Sequence, residues 1–206
     1  MDNKSTIKII GGKFKGVNLK MPTTNLTRSS KSILKESLFN TISSDVIESC
    51  FIEAFAGTGS IGLEALSRGA KEAWFFENNK SSFDILSSNI LLLKKRDPNI
   101  LANGFYGDTF EILHQHINKN TTKKIIYFDP PFNIRENYAD VYSKCTRLLE
   151  EILNPSIFLV VFEHMSEYKP PKNIKHFSII KQKKFGKSSL TYYIESNFNN
   201  TKETNG

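Results

Sequence analysis

CFIEAFAGTGSIGLEALSRGA, residues 50–70, decides how this chain is read. An apolar run closes on a glycine-rich turn and opens directly into a helical pattern. Gly57, Gly59 and Gly62 stand in G-x-G-x-x-G spacing. Glycine there lets the backbone approach a ligand closely, at the point where the free N–H groups of a helix start face outward. A nucleotide-like ligand is expected on such a turn. Glu77 follows Gly57 by twenty residues, at the end of the next apolar run, EAWFFE, where its carboxylate can accept both hydroxyls of a ribose. By itself the spacing fits a dinucleotide, S-adenosylmethionine, or a tight turn that holds nothing. Glu53 favours the second, because a carboxylate beside the loop suits an amino group and a sulfonium and is awkward beside a pyrophosphate. Asp108, in YGDTF, can accept a hydrogen bond from an adenine amine while Thr109 starts the following helix.

Outward from this stretch, strands and helices alternate. The patterns predict a strand at Leu101–Tyr106, a helix at Thr109–Ile117, a strand at Ile125–Phe128, a helix at Tyr138–Leu153 and a buried strand at Ile157–Phe162. Alternation of this kind implies right-handed βαβ units and a mostly parallel sheet covered on both faces. Before it, IKIIGGKFKGVNLK predicts a small β-hairpin and SKSILKESLFNTI a helix over about residues 31 to 43. After it, runs near 177–184 and 189–195 flank FGKSS as a terminal hairpin, and the tail NFNNTKETNG is expected to be disordered. The expected organisation is a hairpin-and-helix extension at 1–45, a catalytic domain at 46–196 and a tail at 197–206.

At 206 residues and 39% hydrophobic, the chain can bury one sizeable core. No run of about 18 apolar residues exists to span a membrane, and the N-terminus lacks the apolar centre of a signal peptide, so a cytoplasmic protein is expected. Cys50 and Cys145 have neither disulfide nor metal-ligand spacing and are expected as buried free thiols; no metal is expected. The net charge of +7 is segregated. Residues 1–40 carry +6 and residues 169–187 carry seven lysines and no acid, which leaves −6 for the rest. Two basic segments around an acidic body resemble a footprint for a phosphate backbone. Lys13, Lys15, Arg28, Lys31 and Lys35, on the hairpin and first helix, are the expected RNA contacts.

DPPF, residues 129–132, ends the fourth apolar strand, a position that borders the ligand crevice of an open α/β sheet. Pro130 and Pro131 fix φ and lack N–H donors. The Asp129 carboxylate and the Pro130 carbonyl are left as convergent acceptors, and Phe132 offers a stacking face for an extruded base. An exocyclic amine on a base has its lone pair drawn into the ring. Two acceptors on its hydrogens favour the pyramidal geometry needed to attack an electrophilic methyl group, so the chemistry is positioning and electrostatics.

The ordered set IIGGKFKGVNLK, KESLFNTI, EAFAGTGSIGLEALSRGA, FFENN, GDTFEIL, YFDPPF and KFGKSSLTYY resembles the bacterial 16S ribosomal RNA guanine-N2 methyltransferases, the RsmD-like family, over about residues 7 to 195. The resemblance implies a seven-stranded class I methyltransferase sheet, S-adenosylmethionine as donor and a guanine of small-subunit RNA, naked or in an assembling particle, as target. By motif, Glu53, Phe55, Ala56, Gly57, Thr58 and Gly59 would surround the methionine part of the donor. Glu77, with Asn78 beside it, would hold the ribose, Asp108 and Thr109 the adenine, and Asp129, Pro130, Pro131 and Phe132 the target base. A monomer is expected. The chain departs from the family at Glu53, commonly Asp, at Arg28-Ser29-Ser30, usually Arg-Pro-Thr, and at Asn79, usually an acid. Rival expectations are amino-methylation of DNA adenine or of a protein glutamine, a nicotinamide-dependent oxidoreductase, and a non-catalytic RNA-binding module. The oxidoreductase lacks an obvious proton-relay residue beside its loop, and the intact DPPF and glycine motifs disfavour the module.

Overall fold

The computed structural model of the protein describes residues 6–22, 28–117, 121–131, 138–152 and 154–196. The expected disordered tail beyond 196 and Phe132 lie outside these residues. An antiparallel hairpin, β1 (Thr6–Lys8) and β2 (Asn18–Lys20), precedes α1 (Arg28–Thr41). There follow β3 (Cys50–Glu53), α2 (Ser60–Ser67), β4 (Glu72–Glu77), α3 (Lys80–Lys94), β5 (Leu101–Tyr106), α4 (Thr109–Ile117), β6 (Lys124–Phe128), α5 (Tyr138–Glu151) and β7 (Ile157–Met165). The chain ends in β8 (Asn173–Ile174), β9 (Phe177–Phe185) and β10 (Ser188–Glu195).

The main sheet has the order β5-β4-β3-β6-β7-β10-β9-β8. From β5 to β7 the strands are parallel, and β10 enters antiparallel between β7 and β9. This is the α/β arrangement, parallel at its centre, that the alternating pattern predicts, and it agrees with the class I methyltransferase sheet that the resemblance implies, with one correction: the sheet has eight strands where that resemblance implies seven. The extra strand is two residues long and pairs Asn173 with Ser178 and Ile174 with Phe177. Lys175 makes the intervening turn with φ +54°.

Two apolar layers flank the sheet. One joins Leu63 and Leu66 of α2 and Leu86 of α3 to Phe51, Phe75 and Tyr127, and also takes in Ile7, Leu19, Leu34 and Leu38 from the hairpin and α1. The N-terminal segment therefore shares the core of the sheet. The other packs Leu113, Cys145 and Leu149 against Ile52, Ile126 and Val160. Cys50 and Cys145 are buried free thiols, as expected. Among the described residues no helix is long and apolar enough to cross a membrane.

Strand direction fixes two edges. Strands β3, β4, β6 and β7 end at the carboxyl edge, and the loops leaving them form one rim. The C-terminal ends of α2 and α3 lie at the opposite, amino edge, where Lys71 N–H bonds the carbonyl of Ser49 at 2.9 Å.

Candidate active site

A cavity of about 670 Å³ opens at the carboxyl edge. Its first wall is the turn between β3 and α2. Glu53 accepts the N–H of Gly62 at 2.8 Å and of Ile61 at 3.4 Å, so its carboxylate sits on the N-terminus of α2, where free donors and the helix dipole favour negative charge. Burial nevertheless pushes the carboxyl up to about 8, against the pull of those two N–H groups. Glu53 lines the cavity, yet the bonds it makes are to the helix. Phe55, Ala56, Gly57 and Thr58 also line it, whereas Gly59 stands behind. A Cβ on Gly57 would meet nothing within 4 Å, so at Gly57 the wall leaves room for a group laid against the backbone.

Glu77 forms the second wall. One carboxylate oxygen accepts the N–H of Gly57 and the other that of Asn79, each at 2.7 Å, so the side chain is clamped across the glycine turn. A carboxylate has about four acceptor positions, which leaves capacity for two hydroxyl donors. Asn78 and Asn79 line the same wall, and Asn79 caps α3 by accepting from Ser82 N–H at 3.0 Å. Opposite them, Asp108 accepts the N–H of Phe110 at 2.9 Å, and Thr109 donates its hydroxyl to the carbonyl of Ala54, pinning α4 to the end of β3. Both face the cavity.

The third wall carries the acceptors. Asp129 and Pro131 line the cavity, and Pro130 is buried behind them. Phe128, the last residue of β6, pairs with Phe162 of β7, so Asp129 and Glu163 follow side by side. Glu163, which sequence reasoning missed, lines the cavity and accepts a hydrogen bond from the hydroxyl of Tyr127. Its signal was visible as a single carboxylate inside the apolar strand IFLVVFEHM, where burial must be compensated. Desolvation first, and then the neighbouring Glu163 charge, hold Asp129 above the usual carboxylate range, while Lys31 pulls it back. Glu163 is raised by burial and opposed by the Tyr127 bond and by Lys31.

The five basic residues expected on an RNA surface are not brought together. Lys31 is exposed and lines the cavity. Lys35 requires a correction: its side chain is 0% exposed and pairs with Glu64 at 3.2 Å, so no phosphate can reach it. Its position on the inner face of α1, one turn after Lys31, buries it. Lys13 and Lys15 are exposed at the hairpin tip, Lys13 pairing with Asp97 at 2.7 Å. For Arg28 only its place at the start of α1 is described.

Residues 7–194 match the family described as Conserved hypothetical protein 95. The chain is 32% identical to the ribosomal RNA small subunit methyltransferase D of Escherichia coli over 126 residues, 61% of this chain and 60% of that protein. The alignment thus spans under two thirds of the E. coli relative. A fuller match, 27% identical over 91% of this chain and 98% of the other, is to the protein named putative rRNA methyltransferase YlbH of Bacillus subtilis. Among solved structures, the putative methyltransferase yhhF of E. coli superposes with a TM-score of 0.73 at 25% identity, covering 93% of this chain and 99% of that one. The fold alone recurs at 11% identity and a TM-score of 0.61 in a Synechocystis magnesium protoporphyrin IX methyltransferase with bound SAM, over 85% of this chain and 87% of that one.

Proposed function

The chain belongs to the Conserved hypothetical protein 95 family of RsmD-like methyltransferases, and from that membership we propose that it methylates ribosomal RNA of the small subunit, at the exocyclic N2 amine of a guanine in the 16S molecule. The single observation that carries this reading is the pairing of Asp129 with Glu163 on one wall of a cavity whose other walls are the glycine turn, Glu77 and Asp108.

S-adenosylmethionine supplies an electrophilic methyl group carried on a sulfonium. The residues present fit it: Gly57 leaves its wall open, Glu77 has acceptors free for ribose hydroxyls, and Asp108 lines the opposite wall with a carboxylate that would accept from an adenine amine. Asn78 and Thr109 complete the nucleoside walls. Glu53 would present a carboxyl oxygen to the methionine end while it holds the start of α2 in place. On the target side, Asp129, which lines the cavity, would accept N–H from the base amine and orient its lone pair, and Pro130, buried behind it, would hold the turn that presents that carboxylate. A base amine that accepted this methyl group, with the carbon–sulfur bond breaking to leave a neutral thioether, would become cationic, and the carboxylates of Asp129 and Glu163 would stabilise that charge and take up the proton the nitrogen releases. Tyr127 fixes Glu163 for this role, and Phe132 is assigned the stacking face.

The test is single-turnover methyl transfer to small-subunit ribosomal RNA and to small-subunit particles by the wild type and Asp129→Ala. Cofactor affinity is expected to stay intact while the rate falls on the order of 100-fold or more. Transfer only to DNA or protein by the wild type, or an active Asp129→Ala enzyme, overturns the reading. Mass spectrometry of ribosomal RNA from a strain lacking the gene should locate one missing N2-methylguanine.

A further inference from the structure

Strand β7 outruns its neighbour. Beyond the Phe128–Phe162 pair it continues through Glu163, His164 and Met165, about 10 Å at roughly 3.3 Å per residue. β10 begins beside Met165, and β9 ends opposite Ser188 at Phe185. The turn between β9 and β10 therefore stands above the carboxyl edge, on the side of Asp129 and Glu163. It is held in place: Ser166 N–H bonds the carbonyl of Lys187 at 2.9 Å, and the Ser166 hydroxyl bonds the carbonyl of Gly186, also at 2.9 Å.

The end of β9 carries Lys184 and the turn carries Lys187, both exposed, and among the described residues neither is in an ion pair. Glu167 is the one acid between residues 166 and 187. Lys183 ties β9 to α1 by donating to Ser37 at 3.2 Å and Thr41 at 2.9 Å. At the other end of α1, Lys31 lines the cavity. A basic rim thus stands over a floor that holds Glu53, Asp129 and Glu163. In their ionised forms these carboxyls repel phosphate and accept hydrogen bonds from amines. A nucleotide can enter base first only if its phosphates are retained outside, where the lysines are.

The N-terminal hairpin points the other way. Lys13 N–H bonds the carbonyl of Ser67 at 2.7 Å, at the C-terminal end of α2, and its ammonium pairs with Asp97 beyond α3. Its tip, with Lys13 and Lys15, sits at the amino edge, one strand length of about 20 Å from the cavity mouth.

We propose that Lys31, Lys184 and Lys187 form the phosphate-docking rim of the RNA substrate, and that the hairpin tip is not part of it. The proposal rests on RNA as substrate and relocates its anchor. Two doubly neutralised proteins, Lys184→Gln/Lys187→Gln and Lys13→Gln/Lys15→Gln, lose the same charge at opposite edges, so any global charge effect is matched. Their affinity for deproteinised small-subunit ribosomal RNA is measured across a salt series. The rim variant should weaken binding and flatten the slope of log affinity against log salt by about 1.4 to 1.8, roughly 0.7 to 0.9 per lost contact, whereas the hairpin variant keeps the wild-type slope. S-adenosylhomocysteine affinity should be unchanged in both, which reports an intact fold. Flattening in the hairpin variant, or equal flattening in both, overturns the rim. Wild-type methyl transfer to RNA is scored separately, so a missing activity tells against the RNA substrate and a misplaced slope against the rim alone.

Discussion

Lys35 and Glu64 meet at 3.2 Å with neither side chain exposed to solvent. Lys35 also donates to the carbonyl of Lys8 at 2.8 Å, and Glu64 accepts the N–H groups of Ile10 at 2.9 Å and Gly11 at 2.8 Å and the Arg68 side chain at 2.8 Å. The pair joins the hairpin, α1 and α2. Lys35→Ala removes one of the two cations on the buried Glu64 carboxylate, leaving Arg68 and the two backbone N–H groups, and should cost about 1.5–3 kcal/mol. Denaturant unfolding reads this directly. An unchanged midpoint would show that Lys35 is not part of the internal network.

Glu77→Ala removes the acceptor assigned to the ribose hydroxyls and releases the N–H groups of Gly57 and Asn79. Calorimetric titration with S-adenosylmethionine in EDTA should show a loss of about 1.5–3 kcal/mol, roughly 10- to 150-fold. Equal affinity in both proteins would take Glu77 out of the cofactor wall.

The parallel sheet was legible because its strands and helices keep distinct apolar periods, and the chain order of CFIE, EAWFFE, KIIYF and IFLVVFEHM reproduces the order of β3, β4, β6 and β7. The loop residues around the cavity were legible for a related reason: strand ends converge at one edge of an open sheet. Lys35 was not. A lysine on an amphipathic helix is usually solvated, and its partner Glu64 is 29 positions away in an α2 pattern that gives no sign of pairing. Glu163 was missed because one polar residue in an apolar run does not reveal which neighbour compensates it. The Tyr127 hydroxyl and Asp129 come from the adjacent strand, and only the parallel register places them there. The direction in which the hairpin tip points also depends on a tertiary contact, Phe14 N–H to the Ser67 hydroxyl at 2.8 Å.

Like charge between Asp129 and Glu163 sets a pH dependence. Both carboxyls are held above their ordinary range, desolvation first, so the accepting forms accumulate only as pH rises beyond it. The single-turnover rate should therefore climb with pH along an acid limb lying above the usual carboxylate range. Glu163→Gln removes the neighbouring charge, lowers the Asp129 value and should move that limb to lower pH, while a purely structural glutamate would change the amplitude and leave the limb in place. Stability runs the opposite way. Glu53, pushed from 4.5 to about 8, binds its proton more tightly when folded, so between those values the native state holds more protons than the unfolded one. Stability is then lost as pH rises through that window. A thermal midpoint that fell on acidification from pH 8 to 5 would contradict the burial of these carboxyls.

Gly57 and Gly59 separate binding from folding. Both have positive φ, +52° and +79°, which a side chain adopts only with strain. Their surroundings differ. A Cβ on Gly59 would lie 2.4 Å from Leu86 Cδ1, inside the layer between the sheet and α3, whereas one on Gly57 would meet nothing and project where the cavity wall is open. Gly59→Ala should thus combine backbone strain with overpacking, about 2–4 kcal/mol of stability. Gly57→Ala should cost only the strain, about 1 kcal/mol, but should weaken S-adenosylmethionine by 10-fold or more, about 1.4 kcal/mol, because the methyl group takes up space left beside the backbone. Unfolding curves and cofactor titrations on the two variants give four numbers. A Gly57→Ala protein with wild-type affinity would mean that no ligand lies against this turn, and the cavity would need another occupant.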